Sequence, residues 1–313
     1  MRRRIDVHQH VLPPEYAAWL RAQGVHDAGG RELPAWSAEE ALSVMDQHDI
    51  ATAILSLSTP GVRLDPSEHG VGEARAMARR VNEFTAQVVR DHPGRFGFFA
   101  TLTLPDVDGA LAEAGHAFDA LGAAGVILLA NTQGRYLGDP ADEPLLAELD
   151  RRRAVVFVHP SVLPGPAVPG VPPFAADFLL DTTRAAYRLV QSGAVRRHAN
   201  LKIILSHAGG FLPYASHRLM LALLAEGGRS PGDLLGDLGS FYFDTALSAS
   251  PAALPSLLAF AKPGHVLFGS DWPYAPTPAV SYFTGQLDAC AALDPNGHAA
   301  IDRTNAATLF PQF

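Results

Sequence analysis

Short apolar runs alternate along this chain with stretches of helix length, and that rhythm constrains its fold more than any other feature. β-like runs fall at Ile5–His10, Ala51–Ser56, Arg95–Thr101, Gly125–Ala130, Val155–His159, Lys202–Ser206, Phe241–Asp244 and Val266–Ser270. Amphipathic spacing between and after them predicts helices over Ser37–Gln47, Gly72–Arg90, Val107–Leu121, Glu143–Arg152, Asp177–Gln191, Pro213–Glu226, Pro251–Phe260 and Pro278–Leu293. Ser37 with Glu40 three residues on has the form of a capping box. Parallel strands need crossover connections, and a helix after every strand supplies them. Eight such units predict an α/β fold of the closed (β/α)8, or TIM-barrel, type rather than an open sheet. A chain of 313 residues suits one such barrel, which typically needs about 250, so a single domain over 1–313 is expected.

Two segments read as lids over the barrel mouth. One is 12–36, which contains Gly24, Gly29 and Gly30. The other is 161–174, with prolines at 164, 166, 169, 172 and 173.

Composition narrows the partners. No apolar run approaches the roughly 20 residues of a membrane span. Arg2-Arg3-Arg4 is followed by Asp6, His8, Gln9 and His10, where a signal peptide would carry an uninterrupted apolar segment. A protein that stays in the cytoplasm and off the membrane is expected. Cys290 is the only cysteine, which excludes an internal disulfide and a cysteine-based metal site. A net charge of −8 offers no broad attraction to nucleic acid.

In a (β/α)8 barrel the reactive groups gather at the C-terminal ends of the strands. Here those ends carry His8 and His10 (strand one), His159 (strand five), His207 (strand six) and Asp271 (strand eight). Each has an ordinary explanation taken alone: a histidine after a buried strand is commonly a satisfied core group, and an Asp after Gly-Ser is commonly an N-cap. Their joint placement points instead to a catalytic metal held by nitrogen ligands and a carboxylate, with a further histidine beside it. The aromatic residues Phe174, Trp272 and Tyr274 are candidate pocket walls, with loop packing as the alternative.

These motifs resemble the amidohydrolase superfamily, in particular its aminocarboxymuconate-semialdehyde decarboxylase-like branch. The resemblance rests on Asp6-Val7-His8-Gln9-His10-Val11-Leu12-Pro13, Phe157-Val158-His159-Pro160, Ser206-His207-Ala208-Gly209-Gly210, Gly239-Ser240-Phe241-Tyr242-Phe243-Asp244 and Gly269-Ser270-Asp271-Trp272-Pro273-Tyr274. Within the branch, Ile54–Gly61, Gly134–Pro140 and Asp244–Ser248 resemble 6-methylsalicylate decarboxylases. The resemblance implies His8, His10, His159 and Asp271 as metal ligands and His207 as a catalytic histidine. It implies that Arg218 can reach a neighbouring subunit's site, hence a homodimer, and that Arg31 is the nearest match to a substrate-carboxylate arginine. In one respect the chain departs from a relative: resorcylate-type ring decarboxylases carry a carboxylate where this chain has His8, which weakens the link to a benzoate-type substrate.

Superfamily members with two metals bridge them by a carboxylated lysine ending strand four. Here that strand ends Leu128-Leu129-Ala130-Asn131, and the two lysines, Lys202 and Lys262, lie at the wrong ends of their strands. One divalent metal is therefore expected, zinc first and manganese as the alternative. The implied reaction is non-oxidative decarboxylation of an aromatic, salicylate-like or unsaturated carboxylic acid, with Asp271 or His207 as proton donor. The alternative is hydrolysis of a lactone, amide or ester by metal-bound hydroxide. A barrel that binds without catalysis is a third reading, against which stands the presence of every expected ligand.

Overall fold

The computed structural model describes residues 2–313. Eight strands form one sheet: β1 (Arg4–His10), β2 (Ile50–Ser56), β3 (Phe96–Thr101), β4 (Gly125–Leu129), β5 (Val155–His159), β6 (Lys202–Leu205), β7 (Tyr242–Asp244) and β8 (Val266–Leu267). They lie in chain order, each parallel to the next. The sheet closes on itself between the chain after β8 and β1. Val7 N–H donates to Phe268 O at 3.0 Å and His10 N–H to Trp272 O at 2.7 Å. The expected (β/α)8 barrel is the fold observed. The last strand is shorter than expected because the chain past Leu267 pairs with β1 only in places, and Asp271 turns into left-handed backbone at φ 62.

The helices are α1 (Pro14–Ala22), α2 (Ala38–Gln47), α3 (His69–Asp91), α4 (Val107–His116), α5 (Glu143–Arg151), α6 (Asp177–Gln191), α7 (Ala194–Arg197), α8 (Leu212–Leu224), α9 (Pro231–Leu238), α10 (Ala253–Phe260), α11 (Thr277–Asp288), α12 (Pro295–Ala299) and α13 (Asn305–Leu309). The long α3 shows why amphipathic spacing was informative: Ala74, Met77, Ala78, Val81 and Thr85 recur every three or four residues and are all buried. Half of the expected capping box at α2 forms, with Ser37 Oγ accepting from Glu40 N–H at 3.1 Å. The complete box occurs at α9, between Ser230 and Asp233. The expected helix Val107–Leu121 is α-helical to His116 and then widens into one π turn over Ala117–Leu121.

Side chains alternate across each strand, so two cores arise. Inside the barrel Ile54, Phe99, Ile127, Phe157, Ile204 and Leu267 meet, with Phe310 of the C-terminal segment joining them. Between strands and helices lies the larger cluster, which includes Leu55, Phe98, Val156, Val158, Leu205 and Phe243. Among the described residues no helix is long and apolar enough to cross a membrane.

Candidate metal centre

β1 presents both histidines to the barrel interior through an irregularity. Asp6 pairs with Ala53 and Gln9 with Leu55, so β1 contains one residue more than β2 across this interval. Ile5 and Val7 share the interior cluster with Phe157. Strict alternation would then send His8 to the opposite face. The extra residue resets the phase, and the His8 ring meets Phe157 edge-on at 4.8 Å. Asp6 satisfies the backbone of this bulge. Its carboxylate accepts from His8 N–H at 3.0 Å, from Ser270 N–H at 3.1 Å and from Ser270 Oγ at 2.6 Å. Burial pushes the Asp6 carboxyl up to about 6 in spite of these donors.

One potential ligand atom from each of His8, His10, His159 and Asp271 lies within 4.8 Å of the others, and all four residues are buried. The tautomer of each ring follows from its outer partner. His8 Nδ1 donates to Asp244 Oδ2 at 2.7 Å, His10 Nδ1 to Ser56 O at 3.1 Å and His159 Nδ1 to Pro160 O at 2.9 Å. Each ring so held turns an Nε2 lone pair inward, and His8 Nε2 and His10 Nε2 stand 3.1 Å apart. At that separation the two nitrogens share either a proton, which the raised His8 carries in the metal-free protein, or a bound cation. Asp271 Oδ1 completes the group, 3.3 Å from His8 Nε2 and 3.1 Å from His10 Nε2. Three imidazoles and one carboxylate around one point form a donor set fitted to one divalent metal ion.

The local charges lead to the same conclusion. Burial opposes protonation of His8, but the Asp244 and Asp271 carboxylates outweigh it and raise the imidazole to about 10. For His159 burial dominates, helped by the neighbouring histidines, and its protonation is suppressed well below the usual range. Burial opposes ionisation of Asp271, yet His8 and the hydrogen bonds from His10 and His207 hold its carboxyl well below the usual range. The two carboxylates thus favour positive charge on the His8 side of the centre, while His159 is held neutral, the form that can ligate.

His207 stands beside this group. Its Nε2 lies 3.3 Å from Asp271 Oδ2, the oxygen turned away from His8 and His10, while its backbone N–H donates to Asp244 Oδ1 at 2.9 Å. Three residues at the centre, His207 (φ 53), Ala208 (φ 56) and Asp271 (φ 62), adopt left-handed backbone that non-glycine residues avoid. Strain of this kind persists where the surroundings hold it and concentrates at functional sites.

The centre opens into a cavity of about 750 Å³ lined by Arg31, Ser58, His159, Phe174, Phe178, His207, Asp271 and Tyr274, among others. Two segments cover it. The 12–36 segment is more ordered than a lid loop: it contains α1 and a two-residue hairpin, Asp27–Ala28 against Arg31–Glu32, turned by Gly29 (φ 62) and Gly30 (φ 82). Positive φ at both positions is the type I′ geometry that glycine permits. The 161–174 segment is irregular up to the 3₁₀ turn at Pro173–Ala175 and docks on that hairpin, with Phe174 N–H donating to Gly29 O at 3.1 Å. The Arg31 guanidinium lies 4.1 Å from the centroid of the Phe174 ring.

Arg31, Phe174 and Tyr274 therefore reach the cavity, and the Tyr274 ring meets His10 edge-on at 5.3 Å. Trp272 does not line it. This side chain is buried in the core between barrel and helices, and its backbone carbonyl helps close the barrel. Arg218 is exposed on α8 and lies outside this chain's own cavity. Asp244 escaped the reading of the sequence although the signal was there: it is a carboxylate ending a strand, as Asp271 follows one.

A barrel with three inward imidazoles and a carboxylate at its mouth defines a metal-dependent hydrolase-fold enzyme, and the amidohydrolase family model matches residues 5–312. The chain belongs to that family. Its relatives are carboxy-lyases: decarboxylase yanB of Aspergillus niger is 40% identical over 99% of this chain and 88% of its own length. The 6-methylsalicylic acid decarboxylase of Penicillium expansum is also 40% identical, over 99% and 96%. The gamma-resorcylate decarboxylase of Rhodococcus jostii is 28% identical over 86% of each chain. Among solved structures, an amidohydrolase II superposes with a TM-score of 0.90 at 29% identity, covering 98% of this chain and 99% of that one. A 2,6-dihydroxybenzoate decarboxylase complexed with 2,6-dihydroxybenzoate gives 0.79 at 25% identity, covering 99% and 100%.

Proposed function

We propose that this protein is a metal-dependent, non-oxidative decarboxylase of an aromatic, salicylate-like acid. The observation that carries the reading is the placement of Arg31. Its guanidinium shares one cavity with His159, His207 and Asp271, and no ion pair within the described residues neutralises it. A cation left unpaired beside a metal centre suits an anionic substrate.

His8, His10, His159 and Asp271 would hold the ion; we assign zinc from the His3Asp donor set, with manganese the alternative. When bound, it supplies a Lewis acid and a template for the substrate's carboxylate and adjacent hydroxyl. Arg31 binds the anionic side of the substrate, and Phe174 and Tyr274 flank the ring. Loss of carbon dioxide needs a sink for the electrons of the breaking C–C bond. Protonation of the ring carbon that bears the carboxylate provides it. Asp271 turns one oxygen to the ligand cluster and the other to His207, so we assign the role of acid to His207 and that of its orienting partner to Asp271. His207 gives a proton to the ring carbon, the C–C bond breaks, its electron pair restores the aromatic ring, and carbon dioxide leaves.

We also propose a homodimer. The outward face of α8 exposes Tyr214 and Leu221, 88% and 61% accessible, beside Arg218, and a second copy there gives Arg218 a partner it lacks in one chain.

Incubating metal-loaded protein with salicylates, resorcylates, lactones and amides, with mass spectrometry as readout, tests the reaction. Loss of carbon dioxide from a hydroxybenzoate supports the reading. Gain of water by a lactone or amide without carbon dioxide release replaces it with hydrolysis.

A further inference from the structure

Asp181 on α6 is completely buried, and the groups that satisfy it are neutral donors. Its Oδ1 accepts from Asn131 Nδ2 at 2.9 Å and from the Tyr136 hydroxyl at 2.7 Å, and its Oδ2 accepts from Ser161 N–H at 2.8 Å. An amide NH2 and a backbone N–H can only donate, so both oxygens act as acceptors, as those of an ionised carboxylate do. Burial pushes the carboxyl up, and these donors pull it back. A charge buried among neutral groups is costly.

Anchoring explains part of the arrangement. Asn131 also donates to Val162 O at 3.1 Å and accepts from Gly134 N–H at 3.0 Å, so Asp181 ties the segments after β4 and β5 to α6. A neutral amide could do the same without a buried charge.

The rest lies across one peptide. Ser161 N–H, which Asp181 grips, belongs to the same planar unit as Pro160 O, and in a trans peptide the two point to opposite sides. On the far side, Pro160 O accepts Nδ1–H of His159 at 2.9 Å. Imidazole, peptide and carboxylate thus form one line of two hydrogen bonds, and bonds in series polarise each other. The three histidines of the cluster differ in this respect. His8 meets Asp244 directly at 2.7 Å, and His10 meets Ser56 O at 3.1 Å. His159 meets a carbonyl with a carboxylate behind it.

We propose that Asp181 is a positioning residue for His159, acting through the Pro160–Ser161 peptide. Its charge strengthens the hydrogen bond that orients the ring and makes Nε2 a better donor to a metal ion. The proposal rests on His159 as a ligand and not on which reaction the centre performs. Groups that accept directly from a ligating histidine typically contribute 10–100-fold to metal affinity. One peptide removed, Asp181 should act at the lower end, about tenfold.

The test compares Asp181→Asn and Asn131→Ala with the wild-type chain. Metal-free proteins are titrated with zinc, and the imidazole Nδ1 protons of the zinc-loaded proteins are followed by NMR. Both substitutions remove anchors of the same two loops, so both should lower the thermal midpoint. Only Asp181→Asn takes the charge from the peptide. It should weaken zinc binding about tenfold and move the His159 Nδ1 proton upfield, while Asn131→Ala leaves both close to wild type. In the wild-type protein, which needs no variant to fold, the His159 proton should resonate downfield of that of His10. Equal losses of affinity in the two variants, or zinc binding and a His159 resonance unmoved by Asp181→Asn, reduce Asp181 to a loop anchor and overturn the proposal. A wild-type His159 proton level with or upfield of that of His10 overturns it as well. Zinc binding at wild-type strength in His159→Ala would instead remove His159 from the ligand set, and the proposal would fall with that assignment.

Discussion

Asp244 accepts the Nδ1 proton of His8 at 2.7 Å, and both side chains are completely buried. Its other oxygen receives the backbone N–H of His207 at 2.9 Å. One carboxylate therefore orients a metal ligand and fixes the loop that carries the candidate acid. Asp244→Asn keeps the shape but loses the charge and presents an amide that can meet the ring in the wrong sense. Partners of this kind typically contribute 10–100-fold to metal affinity. We expect a loss in that range by metal titration, with the thermal unfolding midpoint of the metal-free protein changed by only a few degrees.

The bulge in β1 is tied down by the Asp6 carboxylate, which accepts from both sides of the barrel seam. Asp6→Ala leaves three buried donors without an acceptor, the backbone N–H groups of His8 and Ser270 and the Gln9 side-chain amide, and leaves the Ser270 hydroxyl only its 3.4 Å contact with His8 O. An unsatisfied buried donor costs about 1–3 kcal/mol, so denaturant unfolding should show a loss of about 3 kcal/mol or more. If β1 slips back to regular alternation, His8 also leaves the interior, and metal content should fall with stability. A variant with wild-type stability and metal content would show that the bulge is held by something other than Asp6.

The barrel was legible because a hydrophobic period is a property of each segment and needs no knowledge of its neighbours. The strand-end rule then found His8, His10, His159, His207 and Asp271 without coordinates. The reset of phase at Asp6–Gln9 was not legible. It arises from a mismatch between two strands, which the sequence of β1 alone does not show. Trp272 misled for a related reason: its neighbour Asp271 faces the centre, but the turn sends the indole into the core. The hairpin that carries Arg31 and the short helices α7, α12 and α13 are too brief to show a period.

Metal uptake should compete with a proton. In the metal-free protein burial disfavours a charged His8, but Asp244 and Asp271 raise it to about 10, so the ring is protonated at neutral pH. A ligating imidazole must be neutral, so binding releases this proton. Affinity should rise with pH, by about tenfold per unit from pH 6 to 8, and level off only as the metal-free pKa is approached. Calorimetry in two buffers of different ionisation enthalpy measures the release directly, at about one proton per ion. His159→Ala and Asp271→Ala each remove a ligand and should abolish metal-supported turnover with circular dichroism unchanged. Wild-type metal content and turnover in either variant would break the ligand assignment.

Arg31 faces the cavity from a hairpin that glycine turns allow and Phe174 supports, so its removal should affect substrate more than fold. A hydrogen bond to a charged group contributes about 1.5–3 kcal/mol, which sets the expected rise in KM for Arg31→Ala at roughly tenfold to a hundredfold. The kcat should fall less, because the proposed proton donor is His207 and not Arg31. Arg31→Lys is informative for a different reason. It keeps the charge but loses the planar stacking on the Phe174 ring, 4.1 Å from the guanidinium. Partial recovery of KM by lysine would assign the effect to charge, and none would assign it to the geometry that Phe174 imposes. Unchanged KM in Arg31→Ala would remove the cation from the substrate site and with it the main support for an anionic substrate.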